Sequence, residues 1–223
     1  MDDSPVNADL SSGGSASVIM GSNLLKFLSG VARQDQRFIK DSMRLAEYRA
    51  DQRFDRKKSS SDWFEYYSGV LWSVGWSLEH APVIVVDKNF TGDVLEAWAK
   101  SVSKQLSKAT VASMRETFQL AEDSTAGTEM LTDSLRKFGD FRFSPARYNF
   151  HKELEIVVSN VRLIDSSWSS NYLFWKILQT RSQLDIQSRR FVTSLREMDK
   201  YRDSLIAAVR EMRVREIDLA TNA

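Results

Sequence analysis

The sequence predicts an α+β fold: a helical N-terminal two-thirds, then an antiparallel β-meander of three to four strands, then a long C-terminal helix. Two observations support this prediction. Apolar residues recur at helical spacing in several segments up to Phe138, and the period changes to two from Asp140 onward. Because strands follow helices rather than alternating with them, the order favours α+β over parallel βαβ units.

The first residues are small, polar and aperiodic, so we expect a disordered tail over residues 1–20. Residues 21–223 are numerous enough to bury a core and are expected to form a single α+β domain. Directly after the tail, apolar residues at roughly helical spacing predict a short amphipathic segment. It would either dock on the body of the protein or contact a membrane surface or a partner. Its residues are Leu24, Leu25, Phe27 and Leu28.

The next segments have helical periodicity. From Ala32 to about Arg56, acidic and basic residues interleave without proline or glycine, which is typical of a helix with a solvated face. Ser59 to Asp62 is a plausible N-cap for an aromatic helix that continues to about Ser73 and should anchor the core. Shorter amphipathic helices are predicted between Val94 and Phe138.

The meander is expected over about residues 140–192. Phe141 and Phe143 alternate with Arg142, and later alternating runs start near Leu154 and Tyr172. Apolar positions from Leu195 to Met212 then predict the long C-terminal helix.

Four segments form a distinctive set: Arg33-Gln34-Asp35 through Leu45-Ala46, Trp63-Phe64-Glu65-Tyr66-Tyr67 through Gly75-Trp76, Gly139-Asp140-Phe141, and Leu173-Phe174-Trp175. In these segments the chain resembles a family of uncharacterised bacterial and fungal proteins, over roughly residues 31 to 215. The resemblance implies a shared fold, and it carries no activity and no site residues.

Composition excludes several classes of function. The 223 residues include 31 basic and 30 acidic side chains, so no global field favours nucleic acid, and we expect no nucleic-acid partner. The absence of cysteine removes disulfides, thiolate metal sites and cysteine nucleophiles. Asp2 and Asp3 after Met1 are unlike a signal peptide, and Val18–Val31 is too short and polar to span a bilayer. We therefore expect synthesis in the cytoplasm. Any export would use a route that needs no cleavable signal.

Candidate catalytic residues are few. No metal-ligand spacing, nucleophile elbow or phosphate-binding glycine loop is present, so no metal or cofactor is expected. Glu153 and Glu155 form a Glu-x-Glu pair that resembles the glutamates of ADP-ribosyltransferase toxins, with His151 beside it. The upstream strand residues of that family are missing, and the simpler interpretation is the solvated side of an amphipathic strand.

The functional expectation is a non-enzymatic interaction or virulence-associated protein, with membrane activity as one form. A protein partner or a lipid surface would contact the apolar N-terminal segment or Trp168, which lies in the turn Asp165–Asn171 and should face solvent. The alternatives are a toxin-like enzyme with an acidic site around Glu153 and Glu155, and a partner-binding module with an exposed apolar patch.

Overall fold

A computed structural model describes residues 14–164, 176–212 and 214–219 of the chain, and this part contains six helices and seven strands. The helices are α1 (Arg33–Arg53), α2 (Ser60–Ser73), α3 (Val94–Ser101), α4 (Lys108–Asp123), α5 (Thr125–Phe138) and α6 (Leu195–Val209). The strands are β1 (Ala16–Met20), β2 (Asn23–Phe27), β3 (Ser77–Asp93), β4 (Asp140–Tyr148), β5 (Leu154–Ile164), β6 (Lys176–Thr193) and β7 (Glu216–Leu219).

All seven strands form one mixed sheet, in the order β3-β6-β5-β4-β2-β1-β7. Five neighbouring pairs are antiparallel, and β2 pairs with β4 in parallel. The N-terminal hairpin of β1 and β2 is thus inserted between β4 and β7. The longest edge strand, β3, lies at the opposite side of the sheet from β7.

Each face of the sheet is covered by three helices. On the first face, α1, α2 and α6 bury a core that includes Trp63 and Phe38. On the second face, α3, α4 and α5 bury a core that includes Trp98 and Phe143. Alternate residues of the interior strands enter the two cores, as Val18 and Ile19 do in β1. The interior strands therefore contribute apolar residues to both faces.

The predicted division of the chain is wrong, although the helical segments themselves are confirmed. The sheet has seven strands rather than three or four, and β1, β2 and β3 all precede α3, so the N-terminal two-thirds is not helical. The strands β4, β5 and β6 do pair antiparallel in chain order over the predicted meander. Residues 165–175, with Trp168 and the start of the strand predicted near Tyr172, lie outside the described residues.

The prediction for the N-terminal segment is also wrong, because this segment forms two strands of the sheet. Residues 16–20, which the sequence placed in the disordered tail, form β1, and residues 1–13 lie outside the described residues. Leu24, Leu25 and Phe27, predicted to contact a membrane or partner, are fully buried in β2, and Leu28 directly after it is half-buried. A strand buried on both faces carries apolar residues without alternation, so its spacing resembles that of a short helix. The single domain over residues 21–223 stays a prediction.

Candidate functional site

The outer edge of β3 is the largest open backbone edge in the described part of the chain. β3 is a 17-residue strand that pairs on one side with β6, and no other strand of the described residues pairs with its outer side. Such an edge presents a row of unpaired backbone N–H and C=O groups, which can bond another extended chain. This is the geometry that β-strand addition uses.

Exposed apolar side chains line this edge. Ile84 is 66% exposed, Val86 is 54% exposed and Leu78 is 47% exposed. Leu78 lies opposite Phe191 of β6, whose ring is in the first-face core, so these alternate residues belong to the first face. We call Leu78, Ile84, Val86 and the backbone of β3 around them the β3 edge.

The regular part of the β3 edge is short and well bounded. Pairing with β6 is continuous from Val83 to Asp87, and the register shifts on both sides of that run. On the N-terminal side, His80 has a φ of +66°, a left-handed conformation that non-glycine residues seldom adopt, and Pro82 follows it. Proline and bulges restrict pairing at an edge strand, so a partner strand is limited to the Val83–Asp87 run.

The tryptophans divide between scaffold and surface. Trp63, Trp76 and Trp98 are buried, as expected for aromatic residues that anchor a core. Trp72 is 71% exposed in the last turn of α2, which leads into β3. The exposed indole and the β3 edge therefore lie close together in the chain.

Glu155, a candidate catalytic residue, is part of an ion-pair ladder. Its carboxylate is 1% exposed, accepts a 2.9 Å bond from Arg147 Nε of β4, and also pairs with Arg190 of β6. Arg190 Nε in turn lies 2.8 Å from Glu79 Oε2 on β3. The ladder spans four strands, and the Glu155 carboxylate at its centre is held by arginines of β4 and β6 rather than presented to a substrate.

Glu153 and His151 lie in the turn that joins β4 and β5. The Glu153 carboxylate accepts a 3.0 Å bond from the Asn149 side-chain amide, and the Glu153 N–H donates to Asn149 Oδ1. His151 is exposed beside Phe150, which is 97% exposed. The structure therefore separates Glu153 and Glu155 by role: Glu155 is buried between arginines, and Glu153 is bound to Asn149 within the turn.

A buried ion cluster ties α1 and the α1–α2 connection to the sheet. Arg142 of β4 and Arg56 donate to the Glu47 carboxylate of α1, at 2.8 and 2.9 Å, and both donate to Ser22 Oγ at 2.9 and 2.7 Å. Arg56 Nε also donates to Asp140 Oδ2 at 3.0 Å. The interleaved charges of the predicted solvated helix thus include buried members, which only tertiary structure could show.

The charges in this cluster compensate one another. Burial alone would raise the pKa of Glu47, but Arg142 and Arg56 beside it hold that pKa below its ordinary value. Trp63 lies under both guanidinium groups, with its ring centroid 4.3 Å from Arg56 Cζ and 4.9 Å from Arg142 Cζ. Every charged group in the cluster is paired within it, so we assign the cluster to stability.

A groove lies between α1 and α6. Its volume is about 150 Å³, and its lining residues are Gln34, Arg37, Phe38, Asp41, Arg202, Leu205 and Ile206. Arg202 is bound to Asp35 at 2.9 Å, and Asp41 pairs with Arg44 at 3.1 Å. Burial raises the pKa of Asp41 against the opposing effect of Arg44, Arg37 and Lys40. With these charges already engaged, the groove offers less to a ligand than the β3 edge.

Within the described ranges, no three histidine, aspartate or glutamate side chains are arranged to hold a metal ion. None of the helices in those ranges combines the length and the apolar character that crossing a bilayer requires.

Comparisons with known proteins give one similar structure. No family model and no curated protein matches the sequence. The chain is similar to a solved structure of a delta-endotoxin, which it matches over 87% of its own length and 90% of that chain, with 10% sequence identity and a TM-score of 0.43. A TM-score at this level does not establish a common fold.

The β3 edge was not among the predicted sites, although the sequence contains its signal. Val83 to Val86 is a run of four aliphatic residues, bounded by Pro82 on one side and by Asp87 and Lys88 on the other. Proline and charge beside an aliphatic strand are typical of an exposed edge. The sequence alone cannot show that one side of this run has no neighbouring strand among the described residues.

Proposed function

We propose that this protein is a non-enzymatic interaction protein that binds an extended polypeptide along the β3 edge. The supporting observation is the combination of an unpaired strand edge, within the described residues, with the exposed side chains of Ile84 and Val86. Backbone hydrogen bonds would supply affinity, and alternate side chains on the same face would supply selectivity. A soluble protein that leaves such an edge uncovered is at risk of aggregation, so the edge calls for an occupant.

A lipid surface is the second candidate, because Trp72 is strongly exposed and indole rings favour membrane interfaces. Two features make it the weaker one. Open sheet edges do not enter the hydrocarbon of a bilayer, since their backbone groups would lose all hydrogen bonds. Charged Asp87 and Lys88 also follow directly after Val86. A virulence role, by either route, would consist of binding a host polypeptide or a host membrane.

The test uses a fluorescent heptapeptide of alternating valine and threonine as the strand probe. We expect saturable binding by anisotropy, with hydrogen-exchange protection confined to residues 83–87. The double variant Ile84→Lys, Val86→Lys should weaken binding about tenfold or more, since each cross-strand apolar pair contributes roughly 0.2–1 kcal/mol and the added charges repel apolar neighbours. The matched control, Phe150→Lys, also puts a charge on an exposed apolar position and should bind as the wild type does.

Two outcomes would contradict the proposal. One is a probe that does not bind, or that binds the double variant as tightly as the wild type. The other is flotation of the protein with phosphatidylcholine vesicles, with or without phosphatidylserine. In that case flotation would be lost in Trp72→Ser, and adding the strand probe would not change the flotation of the wild type. That result would assign the surface to lipid.

A further inference from the structure

The β3 strand and its regular run have the same middle residue. Val85 is the midpoint of Ser77–Asp93, and it is also the midpoint of the regular Val83–Asp87 run. We propose that a second copy of this chain pairs antiparallel along the β3 edge, with Val85 on the twofold axis. This inference rests on the proposed function and names its partner.

In this register the exposed apolar residues meet each other. Ile84 lies opposite the partner's Val86, and the twofold axis repeats the pair on the other side of Val85. Directly opposite residues in an antiparallel pair have Cβ atoms about 4.5–5.5 Å apart, so the four side chains form one contiguous apolar patch. The pairing therefore covers the two most exposed aliphatic side chains of β3.

Charge does not oppose this register. Asp87 lies opposite the partner's Val83, and Lys88 lies opposite the partner's Pro82. No like charges face each other across the pairing, so no cross-strand repulsion opposes it.

The neighbouring registers are less favourable. Backbone groups alternate in direction along a strand, so a twofold pairing can shift only in steps of two residues. The preferred register places all five residues of the regular Val83–Asp87 run opposite one another. One step leaves only Val85–Asp87 opposite one another, and the opposite step leaves only Val83–Val85, so either step loses two of the five pairs.

Pro82 and the irregular backbone at His80 limit the assembly to a closed pair. Such features normally protect an edge from extended pairing. Here they confine it to the five residues of the regular run, and a twofold contact uses the same edge on both copies, so the pair closes. Because the contact is small, we expect a weak dimer, with a Kd roughly in the micromolar to millimolar range.

Disulfide trapping tests the register, since the chain has no cysteine of its own. Ile84→Cys is mixed with isotopically labelled Val86→Cys under mild oxidation, and the linked species are separated by mass. We expect the mixed dimer to exceed either like dimer by about tenfold, because like positions are diagonal, with separations of about 7–8 Å, too far for a disulfide. Phe150→Cys, which is exposed outside the β3 edge, should cross-link only at the level of random collision.

Sedimentation of the wild type provides a measurement that needs no cysteine. We expect a concentration-dependent shift from one chain to two, lost in Ile84→Lys. Equal yields of mixed and like dimers, or a wild type that stays monomeric at about 1 mM, the weak end of the expected range, would overturn the inference. If the wild type is monomeric but the strand probe still protects residues 83–87, only self-pairing fails. If neither the probe nor a second copy binds, the proposed function fails as well.

Discussion

The guanidinium of Arg142 reaches the carboxylate of Glu47 from the first face of the sheet, with Nη2 and Oε1 2.8 Å apart. Arg142 is fully buried, and its charge has no access to water. We expect Arg142→Met to destabilise the protein by about 3–5 kcal/mol, because the substitution leaves Glu47 without its main partner. Urea unfolding measures the change. Arg136→Met breaks an exposed pair with Asp133 and should cost less than about 1 kcal/mol. Equal costs for the two variants would show that the buried pair has no special role.

The lowered pKa of Glu47 predicts a pH dependence of stability. Its folded-state pKa lies below the ordinary value of 4.5, so the stabilisation is fully present above pH 4.5 and is lost as pH falls through the folded-state pKa. Glu47→Gln should therefore be less stable than the wild type at neutral pH, and the difference should shrink in acid. Urea midpoints at a series of pH values test this. A difference that stays constant to the lowest pH would contradict the assignment.

Two glycines at α2 should respond to alanine in opposite directions. Gly69 lies inside the helix, and an added Cβ meets no atom within 4 Å, so Gly69→Ala should stabilise by roughly 1 kcal/mol. Gly75 has a φ of +94°, and an added Cβ would lie 2.7 Å from Tyr201 Cδ2. Gly75→Ala should destabilise by about 1–3 kcal/mol from backbone strain, with the ring contact adding to it. Thermal unfolding of both variants is the measurement, and a loss of stability in Gly69→Ala would be inconsistent with the open helix face.

The burial of β2 predicts a stability effect rather than a binding effect. Leu25 is fully buried, so Leu25→Ala should cost about 2–5 kcal/mol in urea unfolding. Leu78→Ala removes the same side chain from a half-exposed position on β3 and should cost less than about 1 kcal/mol. If Leu25→Ala left stability unchanged, the segment would not be the interior strand described above.

Periodicity identified the helices because each keeps one polar face. The stretch from Ala32 to Arg56 and the aromatic helix after Ser59 are present as α1 and α2, and the break at Gly139 coincides with its left-handed φ of +77°. The same criterion failed at β2, whose Leu24 and Leu25 enter opposite cores, so both faces require apolar residues.

Pairing between distant segments accounts for the rest of what the sequence left open. Glu155 pairs with Arg190, and Glu47 pairs with Arg142. The members of each pair are far apart in the sequence, and no local sequence pattern indicates that they meet. The Glu-x-Glu spacing is therefore compatible with a catalytic pair and with a structural one, and only the neighbouring strands distinguish them. The β3 edge poses the same problem: Pro82, Asp87 and Lys88 beside the aliphatic run are typical of an edge strand, but they do not show which segment pairs with it.

The insertion of the β1–β2 hairpin between β4 and β7 affects how the chain can acquire its structure during translation. Asn23 pairs with Arg142, and Ile19 pairs with Ile217. Both outer sides of the hairpin therefore pair with strands that are synthesised much later. Until those strands are made, the apolar side chains of the hairpin lack their native packing contacts and can bind chaperones or other nascent chains. Slow refolding from denaturant, with the hairpin amides protected last, is the kinetic behaviour that this connectivity favours.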